Sequence, residues 1–187
     1  MEHKDHVGLL RGGLPQRPPT GRAPLWADLG AGEGAFTLAL ADLLGPGARI
    51  IAIDRDQRAL DRQARSMAAR FPATQLTTQV ADFTRPLDLP PLDGIVMANA
   101  LHFVPDAEKD AVLQRLRAAL RPGGRLIVVE YNVDRGNTWV PYPFSYTRWE
   151  ALARRNGFTH TRRLATTPSR FLGEMYSAVS IVESLSG

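Results

Sequence analysis

The most informative segment of this 187-residue chain is the turn at residues 28–34, which reads Asp-Leu-Gly-Ala-Gly-Glu-Gly and follows an apolar run at residues 25–27. Glycine tolerates positive φ angles and has no Cβ, so such a turn lets a ligand approach the main chain closely. A helix-like stretch follows. The spacing alone leaves the ligand open, because Gly30, Gly32 and Ala35 also fit a dinucleotide-binding fingerprint.

Charge separates the two interpretations. Asp28 precedes the glycines and Glu33 lies among them, and carboxylates at this position repel a diphosphate. They attract a ligand that carries an ammonium and a sulfonium. Asp54 ends the second predicted strand, where its carboxylate can accept the hydroxyl protons of a ribose under either interpretation.

Together with three later segments, the turn resembles motifs of the class I S-adenosylmethionine (AdoMet) dependent methyltransferases. Residues 79–83 are similar to that family's segment after the third strand, in which Asp82 meets the adenine amino group and Phe83 packs on the ring. Residues 93–103 resemble the fourth strand and its exit loop, and residues 120–126 the entry to the fifth. The order and spacing of these segments carry the resemblance over most of the chain.

The resemblance implies AdoMet as the cofactor, with Asn99 near its methionine end. The residues that it assigns to cofactor binding are Asp28, Gly30, Ala31, Gly32, Gly34, Asp54, Arg55, Asp82, Phe83 and Asn99.

Hydrophobic periodicity predicts an α/β alternation of strands and helices that ends in two strands joined by a turn. With the resemblance, this pattern implies a Rossmann-like, seven-stranded methyltransferase sheet with helices on both faces and a C-terminal antiparallel β-hairpin. The hairpin is expected at residues 158–167 and 171–182, with its last strand antiparallel beside the fifth, as the resemblance implies. Few residues and several prolines lie between positions 82 and 92, so no crossover helix is expected there. Residues 1–24 are predicted to form a flexible N-terminal arm or partial lid, and residues 25–187 a single methyltransferase domain.

The methyl acceptor is expected beyond the carboxyl ends of the fourth and fifth strands. His102 is the candidate general base there, or else a loop histidine. Glu130 is a second catalytic candidate that could contact the acceptor or cap a neighbouring helix. The predicted acceptor-binding residues are His102, Tyr131, Trp139 and Tyr142, within an aromatic segment that forms either a pocket wall or a rigid linker.

The fourth strand is followed by Asn-Ala-Leu-His, not by the Pro-Pro-Tyr-like sequence of nucleobase amino methyltransferases. That difference argues against methylation of exocyclic amines on nucleobases. We expect a small-molecule acceptor, while the compact length of the chain permits either a small pocket or an open face for a macromolecule.

Composition limits the kinds of catalytic site, cellular location and binding partner that this chain can have. The chain has no cysteine, which excludes disulfides and thiolate catalysis, and its scattered histidines predict no metal site. No apolar run reaches membrane-spanning length, and the charged N-terminus predicts a cytoplasmic protein. The net charge of +4 is carried almost wholly by arginines. Arginines 154, 155, 162, 163 and 170 are interpreted as a solvated face in preference to a nucleic-acid surface.

Two other functions remain open at this point. One is a nicotinamide-dependent oxidoreductase that uses the same glycines, although Lys4 and Lys109 are the only lysines and no Tyr-x-x-x-Lys pair is present. The other is a non-catalytic AdoMet-binding module with a basic face for RNA or protein. The sequence does not indicate the oligomeric state.

Overall fold

A computed structural model describes residues 1–17 and 20–183. Pro18 and Pro19 of the predicted arm, and residues 184–187 of the predicted domain, lie outside the described residues. The helices are α1 (His3–Arg11), α2 (Ala35–Leu44), α3 (Gln57–Arg70), α4 (Asp106–Ala119) and α5 (Tyr146–Arg155). The strands are β1 (Leu25–Leu29), β2 (Arg49–Asp54), β3 (Gln75–Val80), β4 (Leu92–Ala98), β5 (Leu120–Tyr131), β6 (Phe158–Ser169) and β7 (Gly173–Val182).

The strands form one seven-stranded sheet in the order β3-β2-β1-β4-β5-β7-β6. All neighbouring strands among β1, β2, β3, β4 and β5 pair in parallel, whereas β7 is antiparallel to both β5 and β6. The predicted seven-stranded sheet and its C-terminal hairpin are therefore confirmed. The strand order reverses at β1, which places a ligand crevice at the carboxyl ends of β1 and β4.

The sheet is buried on both faces because side chains of successive strand residues point to opposite sides. On one face, Ala27 and Ile95 pack in a cluster with α4 and α5. On the other, Trp26 and Val96 pack in a cluster with α1, α2 and α3. The predicted helices on both faces are confirmed, and the buried strands hold the loops at the sheet's carboxyl edge in place.

The connection from β3 to β4 contains turns and no helix, as the prolines predict. β3 is an edge strand whose side chains are mostly exposed or partly exposed. Leu87 and Leu89 in the connection pack against the core in place of a helix. Helix α4 begins at Asp106, with Pro105 at its N-cap position.

Residues 3–11 of the predicted N-terminal arm form a helix that packs in the core. Val7, Leu9 and Leu10 of this helix are buried. The helix packs beside α2 on the sheet face, with the His6 ring 4.8 Å from the Phe36 ring. Its position against the face, rather than over the carboxyl edge, gives no support to a lid.

Candidate active site

The first cavity lies at the carboxyl ends of β1, β2, β3 and β4, where the reversal of strand order places a ligand. Its volume is about 400 Å³, within the range of ordinary ligand pockets. Six of the ten predicted cofactor residues line it: Gly30, Asp54, Arg55, Asp82, Phe83 and Asn99. Its other lining residues are Ala81, Thr84, Ala100, Phe103, Pro105 and Glu108. We call it the cofactor cavity.

The glycine turn needs glycine for two different reasons. Gly30, Gly32 and Gly34 have φ angles of 73°, 53° and 88°, a region that other residues rarely adopt. A Cβ on Gly30 would also lie 2.7 Å from Cβ of Ala100, whereas a Cβ on Gly32 would meet no atom within 4 Å. Gly32 therefore leaves open space above the turn for a ligand to approach the backbone.

Asp54 fixes the shape of the turn. The Gly32 N–H donates to Asp54 Oδ2 at 2.8 Å, and the Asp56 N–H donates to Asp54 Oδ1 at 2.9 Å. Each carboxylate oxygen has a second lone pair and can still accept from a ligand. The predicted ribose-binding acid is thus held in a fixed orientation at the cavity edge.

Asp82 is held charged on the far side of the cavity. The hydroxyl and the backbone N–H of Thr84 both donate to Asp82 Oδ1, at 2.7 Å and 2.9 Å. These hydrogen bonds, helped by Arg55 with its guanidinium 3.7 Å from Oδ2, hold the pKa of Asp82 below its usual value. Oδ2 accepts no hydrogen bond from the described residues and faces its nearest cation at that longer distance.

The structure places the two carboxylates of the charge argument, Asp28 and Glu33, away from the lining of the cofactor cavity. Asp28 is buried beneath the turn, where loss of hydration raises its pKa to about 7 against the opposing hydrogen bond from Thr37. Glu33 points outward and pairs with Arg62 at 2.9 Å. The negative charge of the cofactor cavity comes instead from Asp54, Asp82 and Glu108, against Arg55 as its one cationic side chain.

The lining of the cavity does not include Asp28, Ala31, Gly32 or Gly34, which lie in the turn beneath it. Asp28 accepts a hydrogen bond of 2.5 Å from Thr37 Oγ1, which in turn accepts one of 2.6 Å from Gln63 Nε2. A Cβ on Gly34 would collide with Gln63. These contacts fasten α2 and α3 under the turn.

Asn99 lies where the cofactor cavity meets a second one. It has a positive φ of 52° despite carrying a side chain, a strained conformation that is concentrated at functional sites. Within the described residues its Oδ1 is buried and accepts no hydrogen bond, which costs free energy until a donor arrives. Asn99 and Phe103 line both cavities.

The second cavity has a volume of about 650 Å³ and lies beyond β4 and β5, where the acceptor is expected. We call it the acceptor cavity. It is lined by Asn99, His102, Phe103, Tyr131, Asn137, Trp139, Val140, Arg170 and Phe171. The predicted residues His102, Tyr131 and Trp139 are among them. Phe103, Asn137, Val140, Arg170 and Phe171 were missed, because loops that are distant in sequence bring them together.

His102 and Glu130 form a buried pair beside the acceptor cavity. Their side chains are 3% and 0% exposed, and His102 Nδ1 lies 2.6 Å from Glu130 Oε2. Glu130 Oε1 accepts the backbone N–H groups of Leu101 and His102, at 2.9 Å and 3.3 Å. Glu130 thus orients the imidazole and caps the short 3-10 turn at residues 101–103, and it is not among the lining residues of the acceptor cavity.

Tyr142 is placed differently from the prediction. It is not among the lining residues of the acceptor cavity. Its backbone N–H donates to the carbonyl of His102 at 3.0 Å, and its carbonyl accepts from Lys109 Nζ at 2.8 Å. Tyr142 therefore ties the segment after β5 to His102 and α4 through its main chain.

The aromatic segment combines both expected roles. Trp139 is part of the cavity wall, whereas Phe144 packs in the core 5.9 Å from the Trp149 ring. Tyr146 packs 5.8 Å from the Tyr176 ring.

The C-terminal arginines have separate contacts. Arg155 pairs with Asp110 at 2.8 Å, Arg163 lies 5.3 Å from the centre of the Tyr146 ring, and Arg170 lines the acceptor cavity. No cluster of three metal-ligating side chains occurs within residues 1–17 and 20–183. In the same part of the chain no helix has the length and hydropathy needed to span a bilayer.

Comparison with known proteins matches residues 27–126 to the methyltransferase domain family. Carboxy-S-adenosyl-L-methionine synthase of Chromohalobacter salexigens is 32% identical over 136 residues, which are 71% of this chain and 48% of that protein. The enzyme of the same name from Shewanella amazonensis is 35% identical over 104 residues, 55% of this chain and 42% of its own. The chain spans about half the length of the curated relatives it matches.

Solved structures show the same fold at low sequence identity. A Haemonchus contortus phosphoethanolamine N-methyltransferase, in complex with phosphomonomethylethanolamine and S-adenosylhomocysteine, gives a TM-score of 0.75 at 15% identity over 97% of this chain and 53% of that one. Magnesium protoporphyrin IX methyltransferase of Synechocystis, with bound AdoMet, gives 0.69 at 18% identity over 97% and 78%. Since the family match covers more than half of the sequence and includes the glycine turn, Asp54 and Asn99, the chain belongs to the class I S-adenosylmethionine-dependent methyltransferases.

Proposed function

We propose that this chain transfers the methyl group of AdoMet to a small-molecule acceptor that gives up a proton from oxygen or nitrogen. The observation that carries the proposal is the junction at Asn99 and Phe103, where the cofactor cavity meets a cavity that contains a buried His–Glu pair. A donor and an acceptor held on either side of such a junction react as if intramolecular, which can lower the barrier by several kcal/mol.

The cofactor cavity fits AdoMet in charge and in hydrogen bonding. Its net negative lining complements a sulfonium and an ammonium. The buried Oδ1 of Asn99 lacks a donor among the described residues, and an ammonium supplies one. We assign ribose binding to Asp54, the adenine amino group to Asp82 and the methionine end to Asn99, with Phe83 packing against the adenine.

The remaining predicted residues support this site from below. Gly30, Ala31, Gly32 and Gly34 shape the turn, Asp28 lies beneath it, and Arg55 flanks Asp82. When bound, AdoMet supplies an electrophilic methyl group and leaves as the neutral thioether S-adenosylhomocysteine.

The protein's own chemical contribution is proton removal and exclusion of water. His102 Nδ1 is engaged by Glu130, which leaves Nε2 to take the acceptor's proton. Glu130 acts as a positioning residue, since it is fully buried and contacts His102 rather than the cavity. A positioned general base typically contributes 10²–10⁴-fold to the rate, roughly.

Cofactor binding is tested with two glycine variants at positions of positive φ. Gly32 and Gly47 have φ angles of 53° and 81°, and neither would have an atom within 4 Å of an added Cβ. Only Gly32 lies in the turn beneath the cofactor cavity. Calorimetry with AdoMet should therefore show lost or strongly weakened binding for Gly32→Ala and unchanged binding for Gly47→Ala.

Two results would contradict this assignment. Equal AdoMet affinity in both glycine variants would remove the turn from the cofactor site. NADH binding that is tight and sensitive to Gly32→Ala would favour a nicotinamide oxidoreductase instead.

Turnover is tested by incubating the protein with methyl-labelled AdoMet and a fractionated metabolite extract. The curated relatives are named for making carboxy-S-adenosyl-L-methionine, so mass spectrometry should follow both the acceptor and the cofactor. A labelled methyl group on an acceptor supports our proposal, and a product in which AdoMet itself gains a carboxyl group refutes it. RNA binding that weakens steeply with salt, in a protein without turnover, would favour a non-catalytic module.

We place the activity in the cytoplasm, where AdoMet is made and used, and cell fractionation tests this placement. The proposed partner is the small-molecule acceptor. The separate contacts of Arg155, Arg163 and Arg170 argue against a continuous arginine surface for nucleic acid.

A further inference from the structure

The rim of the acceptor cavity exposes three large aromatic side chains. Phe103, Trp139 and Phe171 are 54%, 81% and 80% exposed, and all three line this cavity. They come from the 3-10 turn after β4, the segment after β5 and the turn between β6 and β7. Contiguous exposed apolar groups mark a surface that binds something, and flat rings around one cavity favour a flat ring as the ligand.

Arg170 sets the charge of this ligand. It is the one side chain of permanent charge among the lining residues of the acceptor cavity, because Glu130 is buried behind His102. A ligand with an ammonium would meet a like charge there. A ligand with a carboxylate would meet a guanidinium that can bind it through two parallel hydrogen bonds.

After its ring and its charge, the third property of the ligand is its reactive group, which the polar side chains inside the cavity indicate. His102 lies at its wall with Nδ1 engaged by Glu130, so Nε2 is available to an acidic O–H. A phenol suits a histidine base better than an alcohol does, because its proton is more acidic. The cavity therefore combines an aromatic rim, a cation and a base.

From these three features we propose that the methyl acceptor is an aromatic hydroxy acid, with its ring among Phe103, Trp139 and Phe171, its carboxylate at Arg170 and its hydroxyl at His102. This assignment rests on the proposed methyltransferase function and specifies its substrate class.

The tryptophans provide a direct binding signal. Trp139 is 81% exposed, whereas Trp26 and Trp149 are 0% exposed, so a ligand in the acceptor cavity should quench chiefly Trp139. The probes are 4-hydroxybenzoate, phenol and tyramine, which share a phenol ring and carry a negative, no and a positive charge. Each is titrated into protein that has been saturated with S-adenosylhomocysteine.

We expect 4-hydroxybenzoate to bind about tenfold more tightly than phenol, the effect of one charge-assisted contact of ~1.4 kcal/mol, and tyramine to bind more weakly than either. Arg170→Gln should abolish this order, with phenol affinity unchanged. Phe171→Ala should weaken all three. The control is Arg154→Gln, which replaces an exposed arginine on α5 and should leave the affinity for all three probes unchanged. Trp139→Phe should remove the fluorescence signal while calorimetry still detects binding.

Three results would overturn the inference. They are equal affinity for all probes, a preference for tyramine, or no binding of any probe at millimolar concentration. Failure of the methyltransferase proposal is separate, since it appears as loss of AdoMet binding or as insensitivity to Gly32→Ala. A protein that binds AdoMet as expected and ignores the charge of the probes refutes only the acceptor class.

Discussion

The buried carboxyl of Asp28 should make the folded protein less stable as the pH rises. Asp28 is 1% exposed, and burial raises its pKa from 3.8 to about 7, with a smaller contribution from the charge of Asp54. The folded state therefore keeps a proton that the unfolded chain has released. The stability that Asp28 contributes is fully present below pH 3.8 and is lost as the pH rises through about 7.

The magnitude follows from the size of the shift. One pKa unit corresponds to about 1.4 kcal/mol, so ionisation of Asp28 costs the folded state up to about 4 kcal/mol in total. Asp28→Asn resembles the protonated acid and can still accept the hydrogen bond from Thr37. The variant should match the parent protein only below pH 3.8. Its free energy of unfolding should exceed the parent's by about 1.6 kcal/mol at pH 5 and by about 4 kcal/mol at pH 8.

The assay is urea denaturation followed by circular dichroism at pH 5, 6, 7 and 8, with the free energy obtained by linear extrapolation. The control is Asp61→Asn, which replaces an exposed carboxyl on α3. Its free energy of unfolding should change with pH in parallel with that of the parent protein. If the Asp28→Asn profile also runs parallel over this range, then Asp28 titrates normally in the folded state. The explanation of its buried position would then be wrong.

Two further changes test the packing of α1 and the proposed roles of His102 and Glu130. Leu10→Ala should lower the free energy of unfolding by about 2–5 kcal/mol, because Leu10 is fully buried between α1 and the sheet; a flexible arm would give no change in urea denaturation. Glu130→Gln keeps an acceptor for the backbone N–H groups but loses the charge that orients His102, so kcat should fall by about 10² or more while calorimetry gives an unchanged AdoMet affinity. Restored activity at high pH in this variant, or a loss only of AdoMet affinity, would show that Glu130 is not a positioning residue for a base.

The residues that line the cofactor cavity were predictable in large part because they follow the strands closely in sequence. Gly30 and Gly32 follow β1 directly, Asp54 ends β2, and Asp82 follows β3. Parallel strands bring their carboxyl ends to one edge, so residues at equivalent positions meet whatever the details of packing. The charge of Asp28 could not be predicted, because it depends on burial beneath a turn and on Thr37 and Gln63, which come from two helices.

The acceptor half was predicted only in part because it is assembled from distant segments. His102 and Trp139 were recognised from residue type and position, but Arg170 and Phe171 reach the same cavity from the β6–β7 turn. Tyr142 was assigned to the cavity from its aromatic ring, whereas its main chain makes the contact with His102. In an irregular segment, tertiary packing sets the direction of each side chain, and the sequence has no regular period from which that direction could be predicted.

The sequence by itself determined the seven-stranded sheet, the glycine turn, and the positions of Asp54 at the end of β2 and Asp82 after β3, because periodicity and glycine act through short-range sterics. Only the tertiary structure decided that α1 is part of the core, that Glu130 is buried against His102, and which carboxylates line the cofactor cavity. Burial and long-range contact control these properties, since the ionisation of a carboxyl depends on the hydration it loses and the partners it meets in the folded chain.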